Sequence, residues 1–241
     1  MLREIWITRH GFREDWVNPT PSYPTNLPYD PPLSSFGLEQ AKELGDFLKD
    51  KNIQRIYASP FYRVLQTVQP LTEHTQLSVH LDYAMTEWYG TIYETYKAPA
   101  PIDVLQSLFP TMKIEKEYKS SIPLPIGSET ELKCHERTKK GLNQLIHQLD
   151  NEEKDVQVIL LAGHAASVIC AVRGLLNDND KVVKCGTCSL SRLVRRDSDS
   201  DQWDLVLNGD CHHLSKGEQR SWMFKGDIPD YEKKKMKMEE N

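Results

Sequence analysis

The chain of 241 residues has few cysteines, no long apolar run and no excess of basic charge. Its five cysteines, an odd number, show no spacing typical of a disulfide framework, and the N-terminus lacks the apolar core of a signal peptide. We therefore expect a reducing location, either the cytoplasm or the nucleus. No apolar stretch approaches the roughly 20 residues that cross a bilayer, so we expect no membrane association.

The charge balance argues against a nucleic-acid-binding protein. With 30 basic and 35 acidic residues, the net charge is −5, which disfavours a general nucleic-acid surface and predicts no direct nucleic-acid binding. Any preference for an anion must therefore be local. The chain also lacks an HExxH motif, an EF-hand loop and paired CxxC motifs, so the sequence predicts neither a metal nor another cofactor.

Apolar runs with β-branched residues predict several strands, at residues 3–8, 53–59, 78–82 and 156–162. The last run is almost continuously apolar, which is typical of a parallel strand buried on both faces. Two later runs, CSLSRLVRR and QWDLVLN, can pair with each other across the acidic turn DSDSD.

Helical spacing of apolar residues predicts four long helices between these strands. The first begins at Ser34 or Ser35 as N-cap and ends near residue 51, and the second has Pro60 in its first turn and ends near residue 75. The third is predicted to begin at a capping box of Ser128 with Glu131, and the fourth covers residues 165–176.

This alternation of strands and helices predicts one α/β domain over residues 1–225, built as a three-layer sandwich with a mostly parallel sheet and helices on both faces. Two stretches interrupt the pattern. Residues 17–35 are crowded with proline and turn formers, and residues 83–127 have many tyrosines and prolines but only one helical patch, at 102–109. We interpret residues 83–127 as an irregular lid insertion, and residues 226–241 as a charged C-terminal tail.

Basic side chains follow three of the predicted strands. Ligands of open α/β sheets bind beyond the carboxyl ends of the strands, a rule that brings together Arg9, His10, Arg13, Arg63 and His164. Arginine forks bind phosphoryl oxygens bidentately, so this group suits a dianionic phosphoryl group. Arginine cannot act as a base. His10 is therefore the predicted nucleophile, as a neutral imidazole whose other ring nitrogen is held by a backbone carbonyl and whose pKa is lowered by guanidinium groups.

A leaving alcohol or phenol needs a proton donor, and Glu87 in the stretch AMTEWYG is the candidate general acid. Its neighbours Trp88 and Tyr89 predict a partly apolar setting that raises the pKa of the carboxyl group. Glu94 and Asp82 are the alternative acids.

Several of these residues also have purely structural interpretations. Arg13 and Arg63 can be solvated charges, and His164 can cap a helix. The tyrosines of the lid can either stack on a substrate ring or pack the lid itself. The tyrosines concerned are Tyr89, Tyr93 and Tyr96. We interpret the CxxC of Cys185 and Cys188 as structural, and the sequence Cys211, His212, His213 as a polar turn.

Four motifs together resemble the histidine phosphatase superfamily, which has the phosphoglycerate-mutase-like fold. They are RHG at 9–11, SPFYRVLQT at 59–67, TEWYG at 86–90 and GH at 163–164. The resemblance implies a phosphohistidine mechanism. In it the nucleophile is His10, the phosphoryl group is held by Arg9, Arg63 and His164, and the leaving group is protonated by Glu87. In the acid phosphatase branch an aspartate follows the second histidine, whereas here His164 is followed by Ala165. The resemblance therefore implies that the acid is Glu87.

Longer stretches resemble particular branches of that superfamily. RHGFRED with DPPLSSFG is similar to the phosphatase domain of the suppressor-of-T-cell-receptor-signalling proteins and to insect ecdysteroid-phosphate phosphatases, which implies that Arg13 also meets phosphate. ASPFYRVLQTVQPL, GHAASVICAVRGLL and WDLVLNGDCHHLSKGEQRSWMF are more similar still to the phosphatase domain of the fungal transcription factor IIIC tau subunit and its stand-alone relatives.

These resemblances imply a metal-independent phosphomonoesterase for a small phosphorylated molecule or a phosphotyrosine-like substrate. One alternative is an interaction module that keeps the phosphatase fold, with protein partners near the transcription machinery. The other is a phosphoglycerate-type mutase, which Phe12, Arg13 and the PYDPPL loop make a poorer match. A homodimer is compatible with each of these functions.

Overall fold

The computed structural model describes residues 1–197 and 201–225. Its strands are β1 (Glu4–Arg9), β2 (Arg55–Ala58), β3 (Val79–Leu81), β4 (Val158–Gly163), β5 (Leu190–Arg195) and β6 (Trp203–Asp210). Its helices are α1 (Ser35–Leu48), α2 (Tyr62–Thr75), α3 (Ile102–Leu108), α4 (Glu131–Glu152) and α5 (Ala165–Leu176). Two short 3-10 turns cover Glu14–Trp16 and Tyr83–Met85. The proposed tail at 226–241 lies outside the described residues.

The strands form one open sheet in the order β3-β2-β4-β1-β5-β6. The first four of these strands are parallel, and β1 pairs with β4 along its whole length. Strands β5 and β6 add an antiparallel pair at one edge, as the pairing of the two late apolar runs predicts. The predicted turn DSDSD lies mostly outside the described residues. The prediction of a mostly parallel sheet is confirmed.

Helices cover both faces of the sheet. Alternate side chains of β1 point to opposite faces, so Ile5 and Ile7 join the core under α4 and α5, whereas Trp6 joins the core under α1 and α2. Helix α1 packs on α2, and α4 packs on α5. No helix of the described residues is both long enough and apolar enough to cross a membrane.

Two predicted helix starts are wrong. Helix α2 begins at Tyr62 rather than with Pro60 in its first turn, because Asp30 of the distant proline-rich loop accepts a hydrogen bond from the Tyr62 amide and caps the helix there. Helix α4 has Thr130 as its N-cap instead of Ser128, since the Thr130 hydroxyl accepts from the Lys133 amide. A local pattern identifies a helix better than its first residue.

The two halves of segment 83–127 have different surroundings. The second half carries α3, and its apolar side chains Leu105, Phe109 and Met112 are buried in the core beneath α2. Ile114 also forms a bridge to Val79 at the edge of the sheet. This half therefore completes the core, and the residues of the segment that border the site described below lie in its first half.

Candidate active site

The basic residues predicted from the three strand ends meet at one edge of the sheet. Arg9 is the last residue of β1 and pairs in register with Gly163, so His10 and His164 follow neighbouring parallel strands. The two imidazole rings lie 5.4 Å apart between centroids. Arg63 enters from the first turn of α2. All four side chains are almost completely buried.

His10 is oriented through one ring nitrogen. Its Nδ1 lies 2.8 Å from the carbonyl oxygen of Gly11, and Nε2 has no hydrogen-bond partner among the residues that the structure describes. Burial lowers the pKa of His10 well below its usual value, and the charges of Arg63 and Arg9 lower it further. The imidazole is therefore neutral at neutral pH, with Nδ1 donating to the carbonyl and the lone pair on Nε2.

Gly11 is required here for close packing. A Cβ at Gly11 would lie 2.8 Å from the carbonyl oxygen of Gly37 and 3.3 Å from the Cys188 sulfur. The Gly11 amide also donates to the Thr67 hydroxyl at 3.0 Å. The glycine thus lets the turn after β1 sit directly against α1 and α2, which fixes the position of His10.

Arg9 is held by two backbone carbonyls. Its Nη1 donates to the carbonyl of Cys185 at 2.8 Å and to that of Arg220 at 2.6 Å. The Cys188 amide in turn donates to the Arg9 carbonyl at 3.1 Å. Both cysteines are free and buried, and burial raises the pKa of Cys185 to about 11. The CxxC loop thus supports Arg9, while the buried Nε of Arg9 keeps no partner.

Arg63 connects three other members of the site. Nη1 donates to Asp30 at 3.0 Å, and Nη2 donates to Glu87 at 2.8 Å. The same Nη2 lies 3.1 Å from Nδ1 of His164. Asp30 is fully buried, and burial raises the pKa of its carboxyl group although Arg63 and the Tyr62 amide oppose that shift.

His164 has partners on both ring nitrogens. Nε2 lies 2.8 Å from the Ser59 hydroxyl, and Nδ1 lies 3.1 Å from Oε2 of Glu87. Burial lowers the pKa of His164 to about 4, so it is neutral at neutral pH. Its amide donates to the Ser167 hydroxyl in the first turn of α5. His164 therefore begins a helix and also faces the site, so the two interpretations are compatible.

The predicted direction of the Glu87 pKa shift is wrong. Burial alone would raise it, but His164 and Arg63 outweigh burial and hold the pKa of Glu87 well below its usual value. Oε1 also accepts from the Trp88 amide at 3.0 Å. Of the alternative acids, Asp82 is occupied by Tyr118 and by other donors away from the site, and Glu94 does not line the pocket.

Arg13 lines the pocket but has a partner of its own. Its Nε donates to Asp15 at 2.9 Å, and its Nη2 donates to the other oxygen of the same carboxylate. The guanidinium carbon also lies 5.2 Å from the centre of the Trp16 ring. Arg13 is therefore anchored beside the site, with one edge of its fork already used.

The pocket above His10 has a volume of about 1190 Å³, far more than a phosphoryl group needs. Its aromatic walls include Trp88, Tyr89 and Tyr93 of segment 83–127, together with residues from elsewhere in the chain: Trp16, Tyr29 and Trp222. Tyr96 instead packs the segment, because its hydroxyl donates to the Glu87 carbonyl at 2.8 Å. The pocket thus has room and aromatic walls for a group much larger than a phosphoryl group.

Within residues 1–197 and 201–225, two clusters of donor atoms have the composition of a metal site. One is formed by His10, Glu87 and His164, and the other is formed at the surface by Asp210, His212 and His213. The guanidinium groups beside the first cluster repel a cation and favour an anion. In the second, His212 contacts Asp210 through Nδ1, and His213 lies 3.1 Å from the Cys188 carbonyl through Nε2.

Sequence reasoning missed several residues of the site and its walls, of which three contact its arginines. Asp30 lies in the PYDPPL loop, Trp16 in a 3-10 turn and Arg220 in the C-terminal segment 211–224. None follows a predicted strand. The only signal for Asp30 is an acidic residue between an aromatic residue and two prolines, and Trp16 and Arg220 carry no local signal.

The chain is similar to known proteins over most of its length. The model of the histidine phosphatase superfamily (branch 1) matches residues 5–210. The transcription factor tau 55 kDa subunit of Saccharomyces cerevisiae is 32% identical over 257 residues, which cover 93% of this chain and 59% of that protein. Ubiquitin-associated and SH3 domain-containing protein A of Homo sapiens is 24% identical, over 85% of this chain and 37% of that protein. The chain thus spans at most about three-fifths of either relative.

A solved structure supports the fold. The ecdysone phosphate phosphatase of Bombix mori, in complex with tungstate, superimposes with a TM-score of 0.65 over 95% of this chain and 98% of that chain, at 17% identity. At that identity the match concerns the fold. Since the family model covers most of the chain and the tau subunit is similar over nearly all of it, the chain belongs to the histidine phosphatase superfamily, branch 1.

Proposed function

We propose that the protein is a phosphomonoesterase that transfers the phosphoryl group to His10 and then to water. The observation that carries the proposal is the orientation of His10, whose Nδ1 is held 2.8 Å from the Gly11 carbonyl while its neutral Nε2 remains available. A neutral imidazole oriented in this way is a competent nucleophile.

In the first step, the lone pair on Nε2 attacks phosphorus and the bond from phosphorus to the ester oxygen breaks. The negative charge on the phosphoryl oxygens is stabilised by Arg9, whose Nε is buried without a partner, and by Arg63. These guanidinium groups supply the positive charge that a metal ion would otherwise provide. The reaction is therefore expected to proceed in the presence of a chelator.

Glu87 gives the proton that the leaving oxygen needs. Its carboxylate is ionised in the free site, and a bound phosphoryl dianion raises its pKa by repulsion and by competing for Arg63. In the second step, water attacks the phosphorylated His10, its proton passes to Glu87, and the bond from phosphorus to nitrogen breaks. Phosphate leaves and the imidazole is restored.

The proposed substrate is a phosphate monoester with a leaving group larger than a simple alcohol. The pocket provides room for it, and Tyr89, Tyr93 and Trp88 provide aromatic walls. A small phosphorylated molecule or a phosphotyrosine-like group fits this description. The tungstate-bound relative is named a phosphatase for ecdysone phosphate, and a relative that is 26% identical is named phosphoserine phosphatase 1.

The test compares His10→Ala with the matched control His80→Ala, which removes a half-buried imidazole outside the pocket. With p-nitrophenyl phosphate and a chelator, we expect His10→Ala to lose at least about a thousandfold in kcat and the control to keep its activity. The wild-type protein should also yield an acid-labile, base-stable phosphoryl adduct at His10. Normal turnover by His10→Ala would overturn the proposal, and phosphoryl exchange between two substrates without phosphate release would indicate a mutase.

A second candidate function is an interaction module that uses the same fold. It is favoured by the 32% identity with the transcription factor tau 55 kDa subunit, which suggests protein partners near the transcription machinery and a nuclear location. A stable complex recovered with the full chain, together with no hydrolysis across a broad panel of phosphate esters, would favour this function. Hydrolysis that depends on His10 would favour the phosphatase.

A further inference from the structure

Arg220 is the one arginine near the pocket whose guanidinium group has only aromatic contacts among the described residues. Its guanidinium carbon lies 4.9 Å from the centre of the Trp16 ring and 5.6 Å from that of Phe12. The other arginines already have acceptors. Arg63 uses two carboxylates, and Arg13 uses Asp15.

The position of Arg220 relative to the site is fixed by its own backbone. Its carbonyl accepts from Nη1 of Arg9 at 2.6 Å, so the C-terminal segment 211–224 is fastened to an arginine of the phosphoryl pocket. Arg220 has φ +50, which is unfavourable for a residue with a side chain and must be maintained by its surroundings. Trp222 from the same segment lines the pocket.

Trp16 connects Arg220 with the phosphoryl pocket. The indole lines the pocket, and its centre lies 6.2 Å from that of the His10 ring and 5.7 Å from the guanidinium carbon of Arg9. Stacking on an aromatic face leaves all the N–H donors at the edge of the guanidinium plane free. The exposed guanidinium of Arg220 therefore lies on Trp16, which is a wall of the pocket, and its N–H donors are unused among the described residues.

We propose that Arg220 on Trp16 forms a second anion-binding subsite, which takes a negatively charged group of the substrate other than the transferred phosphoryl group. A carboxylate or a second phosphate has the required chemistry, because both accept two parallel N–H bonds. The inference rests on the proposed function, because the phosphoryl pocket and the second subsite would bind two groups of the same phosphate ester. The substrate class becomes a phosphomonoester whose leaving group carries an additional anion.

The experiment measures binding with two phosphonates that differ by one charge, 4-carboxyphenylphosphonate and 4-carbamoylphenylphosphonate, together with their meta isomers. We expect titration calorimetry to show about fivefold tighter binding of a carboxylate ligand to the wild-type protein, and a preference that falls with added salt. In Arg220→Ala the preference should disappear, while the carbamoyl ligand binds as before. Arg220→Lys should keep part of it, because the charge remains but the fork is lost.

Two control variants test whether the effect is specific to Arg220. Arg196→Ala removes an exposed arginine that pairs with Asp204 just beyond β5, at the end of the sheet away from the pocket, and should keep the full preference. Lys97→Ala removes another cation of the pocket wall, which lies over Tyr93, and should keep it too. Loss of the preference in Lys97→Ala instead of Arg220→Ala would assign the subsite to Lys97 and overturn the inference.

Other outcomes separate this inference from the proposed function. Equal weakening of both phosphonates by Arg220→Ala would mean that Arg220 holds the phosphoryl group itself, and the absence of any preference in the wild-type protein would remove the subsite. Turnover of the corresponding phosphate esters is measured alongside. Hydrolysis without a charge preference contradicts only the subsite, whereas a charge preference without hydrolysis contradicts only the phosphatase.

Discussion

Replacing Asp30 by Asn removes the carboxylate that holds Nη1 of Arg63. The side chain of Asp30 is fully buried, accepts from Arg63 at 3.0 Å and accepts from the Tyr62 amide with both oxygens. Asn keeps the size of the side chain and one acceptor oxygen for the Tyr62 amide. The amide oxygen can take the position of Oδ1 and still accept from Nη1 of Arg63. The negative charge is lost, however, so a buried guanidinium loses one of its two carboxylates.

The expected loss of stability follows from this arrangement. Removing one partner of a buried ion pair costs about 3 to 5 kcal/mol. The loss should be nearer 2 to 3 kcal/mol here, because Glu87 still neutralises Arg63 and the retained acceptor keeps the helix cap of α2. The raised pKa of Asp30 also favours the smaller loss of stability, since burial already opposes the ionised form that the substitution removes.

Urea denaturation followed by circular dichroism measures this effect, with Asp46→Asn as the control. Asp46 is an exposed carboxylate of α1 that pairs with Lys42 and Lys49, so its replacement should leave the midpoint unchanged. The Asp30→Asn midpoint should fall by roughly 1 M urea. In native conditions its kcat/KM for an aryl phosphate should fall about tenfold or more, because Arg63 is held less firmly without the Asp30 charge. Coincident midpoints for the two variants would refute the reasoning.

Three other predictions concern the pH dependence, the acid and the packing. Because burial lowers the pKa of His10 well below its usual value and that of His164 to about 4, kcat/KM should stay level as the pH falls from 6 to 5; a loss with a midpoint near 6.5 would show an ordinary histidine. As the pH rises above the second pKa of the ester, about 6, kcat/KM should fall about tenfold per pH unit. The reason is that transfer to His10 needs one proton, for Glu87 to pass to the leaving oxygen. Glu87→Gln should slow an alkyl phosphate at least about tenfold more than p-nitrophenyl phosphate, and equal slowing would indicate another acid. Gly37→Ala would place a Cβ 2.1 Å from the Phe12 carbonyl oxygen and should lower the free energy of unfolding by about 3 kcal/mol or more, whereas an unchanged urea midpoint would contradict that packing.

The sequence was sufficient for the parts of the fold in which local pattern and global structure agree. Apolar runs identified the buried parallel strands, and the rule for the carboxyl ends of strands brought Arg9, His10 and His164 to one edge. It succeeded because Arg9 ends a strand and His10 and His164 directly follow one. Their positions depend on topology, which the alternation of elements already fixes.

The sequence was insufficient where a residue acts through a distant partner. Asp30 lies 33 positions from Arg63, in a loop with no period, yet it orients the guanidinium and caps α2. The same cause explains the wrong start of α2 at Pro60, since the cap comes from outside the local sequence. The error for Glu87 is of this kind too. Its sequence neighbours are aromatic, but folding places Arg63 and His164 against its carboxylate.

The lowered pKa of Glu87 has a consequence for when the site can act. In the free pocket, His164 and Arg63 keep the carboxylate ionised, so no proton is available for a leaving group. A phosphoryl dianion changes both conditions, because its charge disfavours a neighbouring carboxylate and its oxygens compete for the same guanidinium. In the proposed mechanism, Arg63 would therefore bind the substrate and, by giving up its hold on Glu87, permit that residue to take a proton. The acid would then be present only in the complex with substrate, where the leaving oxygen needs it.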